Sequence, residues 1–366
     1  LNQFLKFQKD TNFEVNLIQK KFVKPVNLYI FSIESLSPEI LVKKHYGLDK
    51  TKYIKSLENN NFTIFKNHFS DNFPTSPSLN SLIFIDPVEW RKEHNFSYFS
   101  GRNNLSLFNL LKLNEYEIIT GYYDSHFGPP GKYIDEYLTF RSIKIENPFF
   151  SKIYINFCQF KLPWYHMQLF NYCDLLKIFF NIKNEEILSS KKEFHSHILN
   201  KIGSDKKKFV FFHFYTFGHP TGETKNYIND VIFGDLETAL IIEEAAKRIM
   251  IQDPKSILII IGDSGPTIFK TSSENMLKNK IMSIYPNEDH ALIIDNHATL
   301  GSILDYSNIC SEHINFLENN NFTTNSMVLN NILSCMLGVN NILEDQTKNI
   351  KYSLPDNKKF ENYIYE

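Results

Sequence analysis

Four reactive side chains occupy junctions that follow predicted strands or begin predicted helices. They are Glu34, Thr75, His219 and Asp263. Two carboxylates and a hydroxyl form an oxygen-rich ligand set that suits one divalent cation. A cation activates a hydroxyl, which is otherwise a poor nucleophile at neutral pH, and a nearby histidine can protonate a leaving group. This combination is typical of phosphoryl or sulfuryl transfer, in which charge stabilisation supplies most of the catalysis.

Asp263 follows the most clearly buried strand in the sequence. Residues 257–261 are aliphatic and run directly into Gly262-Asp263-Ser264-Gly265. A β-branched run without polar alternation is typical of a parallel strand that helices cover on both faces. Ligands bind beyond the carboxyl ends of such strands, so Asp263 is well placed for chemistry. The two glycines would clear space around it.

Glu34 and Thr75 also lie at junctions, and each has an ordinary structural alternative. Glu34 ends the strand-like run 26–33, where it is functional, a solvated loop acid, or an acid that interacts with a nearby helix N-terminus. Thr75 or Ser76 would cap a helix that starts at Pro77. A hydroxyl at a helix N-terminus faces free N–H groups and the positive end of the dipole, which favours an alkoxide. A simple N-cap is the alternative.

The histidines near the third predicted strand, residues 208–214, are interpreted differently from each other. His219 lies between a glycine and a proline, so we expect it in an exposed loop. His213 lies inside the strand and is interpreted as a core histidine with satisfied hydrogen bonds. We therefore expect His219, and not His213, to be the histidine that protonates a leaving group or binds the substrate anion.

The elements around these junctions predict an α/β fold with a doubly wound, mostly parallel central sheet and helices on both faces. Strand 208–214, a helix over 225–251 and strand 257–261 form a βαβ crossover. A further strand is predicted at 291–294. The apolar residues of the long helix recur at helical spacing and are predicted to face the sheet: Ile228, Val231, Ile232, Leu236, Ala239, Leu240 and Ile249.

We expect a single domain over residues 1–366, with 1–24 as a lead-in and 145–205 as an aromatic-rich helical insertion or lid. The net charge of −2 gives no sign of nucleic-acid binding. No apolar run reaches the roughly 18 residues of a membrane helix. The sequence begins at Leu1, which leaves open an upstream membrane anchor or export signal.

The cysteines show no CxxC spacing that would indicate zinc binding. They are Cys158, Cys173, Cys310 and Cys335. Four buried thiols, or a disulfide such as Cys310–Cys335 in an oxidising compartment, both remain open.

From about Val26 to Leu304, the chain resembles the alkaline phosphatase-like superfamily. The likeness is greatest to its sulfatase-like branch, which includes sulfatases, lipoteichoic acid synthases and phosphoethanolamine transferases. The segments that carry the resemblance, in chain order, are VNLYIFSIESLSPEIL, NHFSDNFPTSPSLNSLI, FFHFYTFGHP, YINDVIFGDLETALIIEEAAKRI, DPKSILIIIGDSGP and NHATLGSI.

The resemblance implies a site with one divalent cation (Zn, Mn, Mg or Ca) and no other cofactor. It places Glu34, Thr75, Asp263 and Ser264 at metal-ligand positions, with Thr75 as the nucleophile. It places His219 as a catalytic and substrate-binding residue. His297, in the late loop, is a second substrate-binding position.

The chain departs from the family pattern at three positions. Tyr215 stands where an aspartate would begin the Asp-x-x-x-His of two-metal members, so a second metal is not expected. Thr75 replaces the sulfatase cysteine, which excludes formylglycine chemistry. Ser264 replaces the usual histidine or asparagine after Asp263. A hydroxyl is a weaker ligand than imidazole, which implies a harder cation, a substitute ligand such as water or His297, or loss of catalysis.

We therefore expect a metal-dependent hydrolase or transferase that cleaves a phosphate ester, with sulfate as the alternative, on a cell-surface glycan or lipid head group. The implied location is extracytoplasmic or periplasmic, with the cytoplasm as the alternative. A second hypothesis is a catalytically silent protein that binds anionic glycans or a partner. A third, an unrelated structural α/β protein, predicts that Glu34, Thr75 and Asp263 lie far apart.

Overall fold

The computed structural model describes residues 20–48, 51–73, 75, 78–79, 82, 106–122, 133–139, 184–203, 205–216, 224–266 and 275–340. Their helices and strands, in chain order, are β1 Leu28–Ile33, α1 Glu39–Tyr46, α2 Lys52–Asn59, β2 Thr63–Ile64, β3 His68–Phe69, α3 Ser106–Leu113, β4 Glu117–Tyr122, β5 Glu136–Thr139, α4 Asn184–Leu199, β6 Lys208–Phe214, α5 Thr224–Gln252, β7 Ile257–Gly262, α6 Asn275–Ile284, α7 Glu288–His297, β8 Gly301–Leu304, α8 Ser311–Glu318, β9 Thr323–Thr324 and α9 Asn325–Leu337.

Seven of these strands form one sheet in the order β2-β8-β7-β1-β6-β4-β5. Strands β7, β1, β6, β4 and β5 are neighbours in that order and all run parallel to one another. Strand β8 runs antiparallel to both of its neighbours, β7 and β2. A separate small sheet pairs β3 with β9 in parallel. The predicted mostly parallel α/β sheet is thus confirmed.

Helices cover both faces of the sheet, as the unbroken apolar strands predict. Alternate residues of β1 point to opposite sides. Tyr29 and Phe31 pack into a core with helices α1, α2, α4, α5, α6 and α7. Leu28 and Ile30 pack into a second core with α3, α8 and α9. The sheet therefore has its predicted layer on each side.

The central strand β1 aligns the carboxyl ends of its two neighbours. Ser32 lies opposite His213 of β6 on one side and Ile261 of β7 on the other. Because all three strands are parallel, the residues that follow them emerge at the same edge. The sheet therefore brings the ends of β1, β6 and β7 together.

Helix α5 extends one residue beyond each end of the predicted helix 225–251. The residues that it buries against the sheet differ from the prediction. Ala239 and Ile249 are buried as expected. Ile232, Leu236 and Leu240 are 43–55% exposed, so their predicted contact with the sheet is wrong. The buried face instead contains Ala239, Ile241, Ile242, Ala245, Ala246 and Ile249. Neighbouring apolar residues had made the periodicity ambiguous between two faces.

The predicted strand at 291–294 is also wrong, because these residues lie within α7. The Asn287 side chain caps this helix by accepting a hydrogen bond from the His290 N–H at 2.8 Å. Ala291 and Ile294 are buried at helical spacing. A short apolar run does not distinguish a buried strand from a helix segment.

A disulfide joins Cys310, which precedes α8, to Cys335 near the end of α9, with 5.7 Å between their Cα atoms. Cys158 and Cys173 lie outside the described residues, as does most of the predicted insertion 145–205. The part of that insertion that is described contains α4, whose Phe194 lies in the core. Within the described ranges, no helix has the length and apolarity needed to cross a membrane.

Candidate metal centre

Three buried side chains converge where β1, β6 and β7 end. Glu34 follows β1, His213 is the penultimate residue of β6, and Asp263 follows β7. One ligand atom from each lies within 4.8 Å of the other two. The side chains are almost inaccessible to solvent, at 4%, 4% and 0% exposure. Two acids and an imidazole thus share one enclosed space.

Backbone hydrogen bonds hold the two acids in this arrangement. The Glu34 N–H donates to Phe214 O at 2.9 Å, and the Asp263 N–H donates to Ile33 O at 3.2 Å. The Ser35 N–H donates to Asp263 Oδ1 at 2.8 Å. Ser35 has a φ of 52°, the left-handed region that is uncommon outside glycine. This turn points its N–H at the neighbouring strand's carboxylate.

His213 lies between a hydroxyl and a carboxylate. Its Nδ1 lies 3.2 Å from Ser32 Oγ, and its Nε2 lies 3.0 Å from Glu34 Oε2. A metal-ligating histidine commonly bonds through its other ring nitrogen to a group that fixes the ring orientation. Ser32 is placed to do this while Nε2 points into the cluster.

Thr75 lies beside the cluster. Its Oγ1 is 3.4 Å from both carboxylate oxygens of Glu34, and the side chain is buried. Thr75 is itself helical, so it does not cap a helix from outside, which was one of the two predicted caps. The third sequence hypothesis is wrong, since Glu34, Thr75 and Asp263 lie together.

Glycines allow the close approach of other backbone to the Asp263 turn. A Cβ on Gly262 would lie 1.6 Å from Thr299 Oγ1 and 2.8 Å from Leu36 O. A Cβ on Gly265 would lie 2.2 Å from Asp295 O. Such distances are far below contact, so both positions require glycine for packing.

The other predicted site residues are placed as follows. Ser264 is fully buried, and its Oγ donates to Gly265 O at 3.3 Å. His297 is buried, and its Nδ1 donates to Ser70 O at 3.0 Å, next to the segment that leads to Thr75. His219 lies outside the described residues.

The cluster fits a single divalent cation in size and chemistry. Ligand atoms 2.0–2.6 Å from one ion lie within about 5.2 Å of each other, and the three here are within 4.8 Å. Three protein ligands with an adjacent open position are typical of catalytic zinc sites. The imidazole of His213 also suits transition metals better than the oxygen-only set predicted from the sequence.

The chain matches no protein-family model and no curated protein sequence. Several solved structures do share its fold. One is the C-terminal periplasmic domain of EcEptC from Escherichia coli, in complex with Zn, with a TM-score of 0.51 at 11% identity. The match covers 94% of this chain and 92% of that domain. Another is the lipoteichoic acid synthase LtaP from Listeria monocytogenes, with a TM-score of 0.51 at 14% identity. That match covers 96% of this chain and 80% of the LtaP chain.

These likenesses show the fold. It is the sulfatase-like form of the alkaline phosphatase-like fold, as the ordered sequence segments predict. Within this fold, the described residues include a buried Glu-His-Asp cluster that could hold a metal ion.

Proposed function

We propose that the protein is a metal-dependent phosphoric-ester hydrolase or phosphoryl-group transferase with Thr75 as its nucleophile. Glu34, Asp263 and His213 would hold the cation, with His213 supplying the imidazole that Ser264 lacks. The observation that carries the proposal is the position of the Thr75 hydroxyl, 3.4 Å from both Glu34 oxygens. Glu34 in turn belongs to the three-residue cluster.

In the proposed reaction, Thr75 Oγ1 attacks the phosphorus of the ester. The hydroxyl proton leaves toward Glu34, to which Thr75 already donates. A bond forms between Oγ1 and phosphorus, the ester P–O bond breaks, and the leaving oxygen takes a proton from His219. Water or an acceptor hydroxyl then attacks phosphorus and gives its proton to His219. The bond between Oγ1 and phosphorus breaks, and Oγ1 takes back its proton from Glu34 as the regenerated hydroxyl. Water gives hydrolysis, whereas an acceptor gives transfer.

A bound cation would supply charge stabilisation and a lower pKa for the Thr75 hydroxyl. The chain's own residues pre-position the reacting groups. Ser35 orients the Asp263 carboxylate through its N–H, and Ser32 orients the His213 ring. Burial strengthens the electrostatic interactions in the site.

For the substrate, we propose a phosphate ester on a cell-surface glycan or lipid head group, with a sulfate ester as the alternative. Support comes from the fold likeness to a lipoteichoic acid synthase and to a periplasmic domain. We also propose an extracytoplasmic location. The Cys310–Cys335 disulfide supports it, because disulfides persist mainly in oxidising compartments.

The test is to trap the covalent intermediate. The protein, loaded with Zn²⁺ or Mn²⁺, is mixed with bis(p-nitrophenyl) phosphate, quenched in acid and analysed by mass spectrometry. We expect release of one p-nitrophenol and a p-nitrophenyl phosphoryl group on Thr75 Oγ1, both lost in Thr75→Ala. Thr51→Ala, a change at a buried threonine before α2, is the control and should behave as wild type. Full turnover by Thr75→Ala would refute the proposal.

A second candidate is a catalytically silent protein that binds anionic glycans, favoured by the serine at position 264. It predicts glycan binding that does not depend on a divalent ion. Elemental analysis of the purified protein separates the two candidates. One equivalent of a transition metal, lost in His213→Gln, supports the enzyme, and absence of any metal supports the silent protein.

A further inference from the structure

We propose that Asn325, the first residue of α9, is a positioning residue that locks the Asp263 strand and the Thr75 segment into one arrangement. The proposal rests on the proposed function, since it concerns the same site. It assigns a role to a side chain that is distant in sequence from every predicted site residue.

The Asn325 amide bridges two parts of the site. Its Nδ2 donates to Gly262 O at 3.0 Å, one residue before Asp263. Its Oδ1 accepts from His68 Nε2 at 2.8 Å, and His68 begins the segment that leads to Thr75. The side chain is buried, at 1% exposure. One amide therefore contacts both the strand that carries a metal ligand and the segment that carries the nucleophile.

The directions of these hydrogen bonds are determined by the groups involved. Gly262 O can only accept, so the amide NH₂ must face it and Oδ1 must face His68. His68 Nε2 consequently carries the proton, and its Nδ1 accepts from Thr323 Oγ1 at 2.8 Å. Burial lowers the pKa of His68 to about 4, which keeps the ring neutral. The bridge is thus specific for an amide at position 325.

The next residue of α9 makes a second connection to the same segment. The Ser326 N–H donates to Asp71 Oδ2 at 2.8 Å. A carboxylate at a helix N-terminus also interacts favourably with the helix dipole. Asp71 lies four residues before Thr75, so the first turn of α9 holds this segment at two points, His68 and Asp71.

Removal of the Asn325 side chain would break the link between strand and segment. Gly262 O and the His68 Nε2–H would both lose their amide partner in a buried region, and Asp263 and Thr75 could shift independently. Residues that orient metal ligands typically change metal affinity or activity by 10–100-fold when mutated. Asn325 contacts the backbone of Gly262, one residue before Asp263, and not the ligand itself. We therefore expect metal affinity to fall by about 10-fold, the lower end of this range.

The experiment compares Asn325→Ala and Asn325→Asp with wild type for Zn²⁺ affinity by calorimetry, and for kcat and KM on bis(p-nitrophenyl) phosphate. Asn325→Asp is nearly isosteric and keeps the acceptor for His68, but loses the donor to Gly262 O. Both variants should bind Zn²⁺ about 10-fold more weakly and lose kcat with little change in KM. The imidazole ¹⁵N signals of His68 should retain the Nε2–H form in Asn325→Asp.

Two controls separate positioning from general stability. Thr324→Ala removes the cap of α9, which accepts from the Met327 N–H, but leaves the Asn325 contacts in place. Asn331→Ala removes an asparagine on the same helix that donates to Met327 O. Both controls should bind Zn²⁺ as wild type does, even where they melt at a lower temperature.

The outcomes distinguish this proposal from the one on which it rests. Wild-type Zn²⁺ affinity and kcat in the Asn325 variants would overturn the positioning role alone. Equal loss of Zn²⁺ affinity in Thr324→Ala would also overturn it, in favour of a purely structural role. Failure of the wild-type protein to bind Zn²⁺ would overturn the proposed function and this inference together.

Discussion

Replacing Asp263 with asparagine should reverse the order of stability between wild type and variant, depending on whether metal is present. Without metal, wild type confines two carboxylates in one buried cluster, with Glu34 and Asp263 ligand atoms within 4.8 Å. Asparagine is isosteric, and its Oδ1 still accepts from the Ser35 N–H. The variant therefore loses the repulsion and keeps the hydrogen bond.

The magnitude follows from this distance. At an effective dielectric constant of about 20, two unit charges at 4.8 Å, the upper limit of the separation between these ligand atoms, repel by about 3.5 kcal/mol. The metal-free variant should thus be more stable to unfolding by about 3 kcal/mol. A cation at 1,000 times its Kd stabilises the protein that binds it by about 4.1 kcal/mol. Metal should then make wild type the more stable protein.

Urea denaturation at pH 8 measures the free energy of unfolding of wild type and Asp263→Asn, once with EDTA and once with excess Zn²⁺. Asp253→Asn is a matched control, because Asp253 is also buried but accepts hydrogen bonds from Asn27 Nδ2 at 2.7 Å and Tyr29 OH at 2.8 Å. Neutralising it should weaken these bonds and lower stability equally with and without Zn²⁺. The reasoning is refuted if metal-free Asp263→Asn is the less stable protein, or if Zn²⁺ stabilises both proteins equally.

Two further predictions concern stability away from the site. The Cys310–Cys335 bond closes a loop with a sequence separation of 25, so Cys310→Ser with Cys335→Ser should lower the free energy of unfolding by about 3.5 kcal/mol; guanidinium denaturation measures this, and an unchanged midpoint would contradict it. Burial, with smaller contributions from Lys280 and Lys44, lowers the pKa of His45 to about 3. Below pH 6.5 the unfolded chain therefore binds a proton that the folded chain does not, and stability should fall by about 1.4 kcal/mol per pH unit down to about pH 3. His45→Gln should reduce this slope in denaturation series between pH 6.5 and 4, and an unaltered slope would exclude His45 as its source.

The sequence was sufficient to predict the sheet and to single out two of the three residues of the candidate metal cluster. Unbroken apolar runs identified β1, β6 and β7, and Glu34 and Asp263 each follow such a run directly. His213 was missed because it lies one residue before the end of β6, where a histidine reads as core. Its position became informative only through the strand register, which places it opposite Ser32.

Other differences came from signals that the sequence carries weakly. The Asn287 cap and the acids after it indicate a helix start at α7, but the following aliphatic residues fit a strand equally well. Asn325 could not have been identified from any motif, because its role arises from where α9 begins relative to β7. Cysteine pairing likewise depends on the packing of α8 against α9.

The Glu34, His213 and Asp263 cluster can form only after three strands far apart in the sequence have paired, which bears on when a metal could bind during folding. His213 and Glu34 are 179 positions apart, and the Ser35–Asp263 bond spans 228 positions. No partial chain that ends before β7 contains the cluster, and contacts of such long range form late and slowly in folding. A cation cannot serve as an early nucleus. If the cluster binds a cation, metal uptake should instead coincide with the pairing of β1, β6 and β7, so it would report that these three strands have assembled.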